Sequence, residues 1–377
     1  MKKIQMVDLK GQYEGIKDQV NTSFQEVIEN AAFINGPEVQ QFQKDLEDYL
    51  QVKNVIPCGN GTDALQIAMM GLGLKPGDEV ITADFTFAAT VEVIALLQLT
   101  PVLVDVEPDS FNIDPEAIKK AITPKTKAIV PVHLFGQVAN MDVIMEIAEE
   151  HNLFVIEDNA QAIGGNYHSK NGKTEKTGAI GHIGATSFFP SKNLGCYGDG
   201  GAIFTNDDKL AHTIRGIVNH GMYERYHHDV VGVNSRLDSL QAAVLRAKLP
   251  KLDLYNETRK KAANLYNDAF KDEAHIETPY RIGDCDTHVY HQYTLKIKNG
   301  KRDALAKHLQ EKGIPFGIYY PIPLHKQKAY ADSRYNEADF PVTNQLVQEV
   351  LSLPMHTELD DEQIEYITGT IKEFLNA

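Results

Sequence analysis

The sequence contains little cysteine, no long apolar run and no spacing typical of metal ligands. Its three cysteines, Cys58, Cys196 and Cys285, are a sparse and odd set without a C-x-x-C pair. This usage argues against a disulfide framework or a structural zinc site, and it favours a reducing cytoplasm. No run approaches the ~18 apolar residues of a membrane span. The N-terminus has two lysines but no apolar run behind them, so we expect no signal peptide.

The chain is also short of positive charge. It has 37 Lys and Arg residues against 52 Asp and Glu residues, which gives a formal net charge of -15. Such a surface repels nucleic acids and anionic membranes, so we expect neither as a partner. An anionic substrate would need a local cluster of positive groups and helix N-termini.

The length and pattern of the chain predict two domains. A chain of 377 residues exceeds the ~250–300 residues at which single cores usually stop growing. From residue 55, continuous apolar runs alternate with helical patterns, which predicts a mostly parallel sheet covered by helices on both faces. The predicted strands lie at residues 55–59, 80–84, 101–106, 128–136, 153–160, 185–191 and 201–206.

Helices are expected between these strands and again beyond residue 235. The predicted helices begin near Thr62 and after Asp114, and span residues 87–98, 141–151, 239–249, 251–271, 301–312 and 360–375. In the second part of the chain, HQYTLKIK (291–298) alternates like a half-buried strand. We therefore expect a large domain over 1–248 and a smaller α+β domain over 249–377.

The turn after the first predicted strand is a candidate phosphate site. Gly59-Asn60-Gly61-Thr62 leads into a helix, whose free N–H groups and dipole suit an anion. The alternative is an ordinary β-to-α turn with Thr62 as its N-cap. Phe87 follows the second strand, where it could stack on a flat ring or pack in the core.

Two further segments contain side chains that could take part in catalysis. The apolar run 153–156 ends in Glu157-Asp158, and a carboxylate at a buried strand end needs a partner. A protonated pyridine nitrogen would be one partner, and a helix cap or structural ion pair would be another. Lys192 lies in the glycine-rich segment SFFPSKNLGCYGDGGAI (187–203), among apolar neighbours that would depress its pKa and suit a Schiff base. The alternative is an exposed loop lysine.

Polar residues in three other places could bind phosphate or substrate. The hydroxyls of Ser187 and Ser191 flank the segment that carries Lys192. Arg236 could clamp an anion, although the residues before it could simply cap the following helix. A loop stiffened by two prolines carries the polar groups of two tyrosines and a histidine in the run Tyr319-Tyr320-Pro321-Ile322-Pro323-Leu324-His325. This loop could equally be a structural turn.

The order and spacing of these segments resemble one family. The runs are GNGTDAL, EDNAQA, SFFPSKNLG, GDGGAI and GVNSRLDSLQAA. With them, nearly the whole chain resembles the DegT/DnrJ/EryC1/StrS family of sugar aminotransferases that depend on pyridoxal phosphate (PLP). The resemblance implies the fold type I architecture of aspartate aminotransferase. One departure is Asp199 in Gly-Asp-Gly-Gly, where many members have glutamate.

The resemblance also implies how the cofactor is held. Lys192 would form the Schiff base with PLP, and Asp158 would pair with the pyridine nitrogen. Gln161 would contact the ring hydroxyl, and Phe87 would stack on the ring.

The phosphate would be held by residues from two subunits. The Gly61-Thr62 turn and Ser187 would bind it from one side, and Asn234 would reach it from the neighbouring subunit. The active unit would therefore be a homodimer with its active site at the interface.

The substrate would be a nucleotide-linked keto sugar. Arg236, Tyr319, Tyr320 and His325 would lie near it, partly across the subunit boundary. The expected reaction is ping-pong: L-glutamate gives its amino group to the cofactor, Lys192 moves the proton, and the sugar ketone receives the amino group. Such enzymes serve surface polysaccharide biosynthesis.

The choice of sugar stays open between UDP-linked and dTDP-linked hexoses, and between C3 and C4 amination. The PIPLH run favours relatives that act at C3, including enzymes for a UDP-linked 2-acetamido hexuluronate. Tyr319 stands where some of those enzymes have histidine. Two rival functions share the fold: a sugar dehydratase, in which histidine replaces Lys192, and a non-catalytic regulatory or binding protein.

Overall fold

The computed structural model describes residues 2–280 and 286–376, so Cys285 lies outside the described residues. Thirteen α-helices occur in this part of the chain. They are α1 (Leu9–Glu14), α2 (Lys17–Glu29), α3 (Pro37–Leu50), α4 (Gly61–Gly71), α5 (Ala89–Leu96), α6 (Pro115–Ala121), α7 (Met141–His151), α8 (Asp208–Ile217), α9 (Ser239–Lys248), α10 (Leu252–Phe270), α11 (Arg302–Glu311), α12 (Pro341–Glu349) and α13 (Asp361–Leu375).

The same residues form fourteen strands. They are β1 (Asn54–Cys58), β2 (Glu79–Ala83), β3 (Thr100–Val104), β4 (Thr126–Val130), β5 (Phe154–Asp158), β6 (Asn166–His168), β7 (Thr174–Lys176), β8 (Ile183–Ser187), β9 (Gly201–Thr205), β10 (Met222–Glu224), β11 (His227–His228), β12 (Ile276–Glu277), β13 (Tyr293–Ile297) and β14 (Val350–Leu353). Short 3-10 helices lie at Leu134–Gly136, Leu249–Lys251, Leu324–Lys326 and Glu337–Asp339.

Seven strands form the central sheet in the order β1-β9-β8-β5-β4-β2-β3. The four pairs from β8 to β3 are parallel, and β9 runs antiparallel to both of its neighbours. All seven predicted strands are present, although the apolar run 128–136 is split between β4 and a 3-10 turn. The predicted mostly parallel sheet is confirmed.

Adjacent residues on each central strand face opposite cores, as the pleat of a strand requires. On β5, Val155 packs with the cluster under α6 and α7, whereas Ile156 packs with the cluster under α4, α5 and α8. Both faces are covered by helices, which explains why these strands read as continuous apolar runs. A polar residue on such a strand must find its partner inside the protein.

The smaller domain contains the antiparallel sheet β12-β13-β14, which packs against α10, α11 and α13. The strand predicted at residues 291–298 is present as β13, but the expectation that it is half-buried was wrong, because every residue of β13 is buried. Its polar side chains have internal partners: Thr294 shares a hydrogen bond of 2.8 Å with Ser352, and Lys296 pairs with Glu277. Lys296 also donates to the Pro108 carbonyl of the large domain at 2.9 Å, so the second face is covered as well.

We propose that the domain boundary falls after residue 248. Helix α9 packs on α2 and α3, whereas α10 packs on α13 of the small domain. Several contacts cross this boundary. Besides the hydrogen bond from Lys296 to Pro108, Ile4 packs into the small-domain core, and Leu346 with Val347 packs into the core of the large sheet. Within the described ranges, no helix is long and apolar enough to cross a bilayer.

Gly184 and Gly178 approach each other so closely that a larger side chain should destabilise the sheet beside the site. A Cβ on Gly184 of β8 would lie 2.0 Å from the Gly178 carbonyl oxygen, whereas a Cβ on Gly369 of α13 would meet nothing within 4 Å. We expect Gly184→Ala to destabilise the fold by about 1–3 kcal/mol through overpacking. The control Gly369→Ala should stabilise it by about 0.5–1 kcal/mol, since alanine favours helices. Thermal unfolding measures both, and equal melting temperatures would refute the packing argument.

Candidate active site

One cleft lies at the carboxyl ends of the central strands, with a volume of about 860 Å³. Ligand pockets typically measure roughly 300–1,000 Å³. Nine of the twelve site residues predicted from the sequence line this cleft: Gly61, Thr62, Phe87, Asp158, Gln161, Ser187, Lys192, Tyr319 and Tyr320. Segments that are up to 259 residues apart in the sequence, from Gly61 to Tyr320, are therefore brought together.

Asp158 is the last residue of β5, and the residue is only 5% exposed. It accepts hydrogen bonds from the Thr90 hydroxyl at 2.8 Å and from the Ala160 amide at 3.1 Å. Burial raises the pKa of this carboxyl, while those two donors and the Lys192 charge lower it. A cationic group bound in the cleft would favour the ionised form further.

Glu157 precedes Asp158 and has a different surrounding. Its fully buried carboxylate accepts from the amides of Gly178, Ile180 and Gly181 at 2.8, 2.7 and 2.5 Å, and contacts His133 Nε2 at 2.9 Å. These four partners satisfy the carboxylate within the fold. The structural interpretation therefore holds for Glu157, whereas Asp158 faces the cleft.

Lys192 lies in the turn after β8, and its backbone N–H donates to the Phe189 carbonyl at 2.8 Å. Burial at the base of the cleft lowers the pKa of its amine from 10.5 to about 8, although the Asp158 charge raises it. The next residue anchors the turn, because the Asn193 amide donates to Asn256 at 2.7 Å and to the Val289 carbonyl at 2.9 Å. The amine is therefore held at a fixed place with a reduced affinity for protons.

The turn before α4 approaches Ser187 very closely. A Cβ on Gly61 would lie 2.6 Å from the Ser187 Cβ, so only glycine permits this contact. The N-cap is Asn60, whose side chain accepts from the Asp63 amide at 2.8 Å, so the alternative of Thr62 as N-cap was wrong. The hydroxyls of Thr62 and Ser187 thus stay beside the first amides of the helix, where an anion is favoured.

Aromatic rings also line the cleft. Phe87 is 57% exposed, and its ring centroid lies 6.2 Å from that of Tyr320. Gln161 lies next to them: its oxygen accepts from the Phe135 amide at 2.7 Å, and its nitrogen donates to the Tyr320 hydroxyl at 3.3 Å. An exposed apolar ring over a polar floor suits a flat aromatic ligand.

Three predicted site residues do not line this cleft. Asn234 is exposed and Arg236 is half-buried, in the segment before α9. His325 is buried, and its Nδ1 lies 2.6 Å from Asp84 Oδ2. The expected contacts of Asn234 with phosphate and of Arg236 and His325 with substrate stay predictions.

Two residues at this site, Thr90 and His291, were not predicted from the sequence. Thr90, in the first turn of α5, donates its hydroxyl to the Asp158 carboxylate, and its local sequence does not indicate this contact. His291 lines the cleft with Lys192 and has a pKa well below its usual value, because it is buried and near the charges of Lys192 and Arg259. No local pattern distinguishes His291 from a core histidine.

The cleft fits PLP. It combines an amine of lowered pKa, a buried carboxylate, an exposed aromatic ring and a helix N-terminus with hydroxyls. These groups suit respectively an aldehyde, a pyridine nitrogen, a flat ring and a phosphate. Among residues 2–280 and 286–376, no group of three or more potential ligands could hold a metal ion.

Comparison with known proteins supports this interpretation. Residues 14–372 match the DegT/DnrJ/EryC1/StrS aminotransferase family, and the chain belongs to that family. It is 47% identical to the UDP-2-acetamido-2-deoxy-3-oxo-D-glucuronate aminotransferase of Pseudomonas aeruginosa, over 98% of this chain and 99% of that protein. It is 46% identical to a pleiotropic regulatory protein of Geobacillus stearothermophilus, over 98% of each.

The structural comparison agrees. The crystal structure of NtdA from Bacillus subtilis, which contains the bound cofactor PMP, is 31% identical and has a TM-score of 0.91. The match covers 100% of this chain and 86% of that one. The predicted family, the fold class and the PLP cofactor are confirmed.

The lowered pKa of Lys192 can be tested in the cofactor-free protein. Because the amine loses its proton near pH 8, pulse acetylation should label Lys192 half-maximally near pH 8. Exposed lysines need a pH near 10.4 on average. Asp158→Asn should move the midpoint lower still, since the carboxylate raises the pKa of the amine. Peptide mass spectrometry measures both, and a midpoint above pH 10 would contradict the burial argument.

Proposed function

We propose that this protein is a PLP-dependent aminotransferase that moves an amino group from L-glutamate to a nucleotide-linked keto sugar. The observation that carries the proposal is the meeting of Lys192 and Asp158 in one cleft. Both groups are buried enough to shift their pKa values, and each is directed at the same space. Perturbed titratable groups that converge on a cleft are typical of active sites.

Different residues would bind the different parts of the cofactor. Lys192 would carry it covalently, and Asp158 would bind its ring nitrogen. The Gly61-Thr62 turn would bind its phosphate together with Ser187. Gln161 and Phe87 complete the assignment, with Gln161 at the ring hydroxyl and Phe87 against the ring face.

The lysine also moves protons. When bound, PLP supplies an electron sink for the carbon that bears the amino group. Lys192, freed as a neutral amine of low pKa, would take the proton from the donor's α-carbon and deliver it to the aldehyde carbon of the cofactor. In the second half of the reaction it would move a proton from that carbon to the sugar carbon that receives the amino group. Asp158 would bind the ring nitrogen as a carboxylate and keep that nitrogen protonated, and the hydrogen bonds from Thr90 and Ala160 favour this ionised form.

The acceptor is proposed to be a UDP- or dTDP-linked hexose with a ketone at C3. The relative from Pseudomonas aeruginosa is named for a UDP-linked 3-oxo sugar, and the chain covers nearly its whole length. Tyr319 and Tyr320 line the cleft, where their hydroxyls can bind sugar oxygens. Arg236 and His325 are assigned to the substrate side by the family resemblance. The product would serve surface polysaccharide biosynthesis.

A regulatory function is the second candidate, because the relative from Geobacillus stearothermophilus is named a pleiotropic regulatory protein. Lys192, Asp158 and the helix N-terminus argue for retained catalysis, since a binding protein needs no amine of lowered pKa. The dehydratase alternative is disfavoured by Lys192, which a histidine would replace.

The active unit is proposed to be a homodimer in the cytoplasm. Asn234 is exposed and lies outside its own cleft, which supports a role in the neighbouring subunit. Cys58 and Cys196 are free and buried thiols, which supports a reducing compartment.

The central experiment follows the cofactor spectrum. The purified protein should be yellow, L-glutamate should convert the absorption band to that of the amine form, and a keto sugar from a UDP- and dTDP-linked panel should restore it. Lys192→Ala should show neither change and no borohydride-reducible link to the cofactor. Bound cofactor that does not respond to glutamate would refute the aminotransferase function and favour the regulatory one.

The shared active site can be tested by mixing two variants. Lys192→Ala removes the amine from one subunit, and Asn234→Ala removes the proposed phosphate contact that the other subunit supplies. Each variant alone should lose most activity. Hybrid dimers should regain it, because one of the two sites then has both residues. Mixing after unfolding and refolding together provides the hybrids, and no recovery despite hybrid formation would place Asn234 in its own site.

A further inference from the structure

Asp84 and His325 join two distant parts of the chain by a buried pair of hydrogen bonds. Asp84 follows β2 and is completely buried. Its Oδ1 accepts from the His325 backbone N–H at 2.7 Å, and its Oδ2 lies 2.6 Å from His325 Nδ1. The Asp84 carbonyl also accepts from the Leu324 amide at 3.3 Å. The His325 main chain and side chain are therefore both bound to one aspartate of the central sheet.

The rest of the His325 ring is covered. It stacks on Phe340, with the ring centroids 4.4 Å apart and the planes 11° apart. Its Nε2 is buried without a hydrogen-bond partner among the described residues. Because Nδ1 faces a carboxylate, it carries the proton and donates it. In this subunit the only described polar contacts of His325 therefore lead to Asp84.

These contacts close one end of a segment that we call the bridging segment, residues 317–325. At its other end, Gly317 and Ser352 of β14 exchange two backbone hydrogen bonds of 2.9 and 2.7 Å. The bridging segment thus runs from the small-domain sheet to the end of a strand in the large sheet. Between its two ends lie Tyr319, Tyr320 and Pro321, which line the cleft.

We propose that Asp84 and His325 are positioning residues that hold the bridging segment over the cleft and thereby fix the contact surface for the sugar substrate. This inference rests on the proposed function and deepens it. Besides its attachment through the two ends of the bridging segment, Tyr320 accepts a hydrogen bond from Gln161 at the floor of the cleft. Among the described residues, the Tyr319 hydroxyl has no hydrogen bond to the floor of the cleft, and a proline side chain can form none, so the positions of Tyr319 and Pro321 depend more on the ends of the bridging segment.

The two half-reactions should respond differently to a loosened bridging segment. Glutamate is small and reacts at Lys192, beside residues carried by the central sheet. A nucleotide-linked sugar is several times larger and extends to the rim, where Tyr319 and Pro321 lie. A displacement of the bridging segment should therefore impair the keto-sugar half-reaction selectively.

The test uses the PLP-loaded enzyme and two substitutions of one histidine. His325→Phe keeps the stacking and the backbone hydrogen bond but removes the side-chain donor. His325→Asn replaces the Nδ1 donor with an amide nitrogen in nearly the same place. The matched controls are His308→Phe and His308→Asn, because His308 also stacks on a phenylalanine, Phe374, but does not line the cleft.

Stopped-flow absorbance gives the rate of each half-reaction, with the keto sugar that the wild type uses best. We expect His325→Phe to lower kcat/KM for the keto sugar by roughly tenfold to a hundredfold, the range for a small misplacement of substrate. The glutamate half-reaction should change by less than about twofold, a change equivalent to less than RT in free energy. His325→Asn should recover most of the loss, and the His308 variants should behave as wild type.

Hydrogen exchange provides a readout that does not depend on turnover. Amides of the bridging segment should exchange faster in His325→Phe, while those of the central sheet stay protected. Should that variant not fold, Asp84→Asn, which keeps an acceptor for the His325 backbone, must show the same selective effect more weakly. Equal losses in both half-reactions, or no loss with unchanged exchange, would overturn the proposal. A wild type that reacts with glutamate but with no keto sugar would instead refute the proposed function.

Discussion

The buried carboxylate of Asp158 beside the buried amine of Lys192 is the interaction on which the site depends. Neither group is stable as an ion in a low-dielectric surrounding without a partner, and burial shifts their pKa values in opposite directions. Each charge opposes the shift of the other. A ligand with a cationic ring nitrogen and an aldehyde offsets both burial costs, because its nitrogen pairs with the carboxylate and its aldehyde reacts with the amine. The apo protein thus favours the cofactor through the same burial that makes both groups reactive.

This arrangement requires a strand end that cannot move. Glu157 and Asp158 point to opposite sides of β5, as adjacent residues on a strand must. The Glu157 carboxylate binds three amides of the turn 178–181 and His133. These contacts hold the end of β5 in place on the side opposite to Asp158. Gly184 lets that turn approach β8 closely. The structural carboxylate therefore fixes the orientation of the functional one.

The sequence predicted the sheet well because each of its strands is an apolar run between turn residues, a local signal. Lys192 and Asp158 could be found for a related reason, since a polar group inside an apolar context stands out. The burial of β13 could not be predicted, because the second face of that strand is covered by a distant part of the chain through Lys296 and Pro108. The same holds for Thr90 and His291, whose roles arise from contacts across 68 and 99 residues of sequence with Asp158 and Lys192. Tertiary contacts of this kind leave no local periodicity.

The residues proposed for catalysis and those proposed for substrate selection lie in parts of the fold that are held in place differently. The residues that would hold PLP lie at the ends of the central strands, where backbone hydrogen bonds and two cores fix them. Apart from Arg236, the residues assigned to the sugar lie on the bridging segment, which is held at its two ends by Ser352 and Asp84. Tyr320 joins the two surfaces through its contacts with Gln161 and Phe87, so substitutions elsewhere in the bridging segment are the ones that can change the substrate without disturbing the chemistry at Lys192.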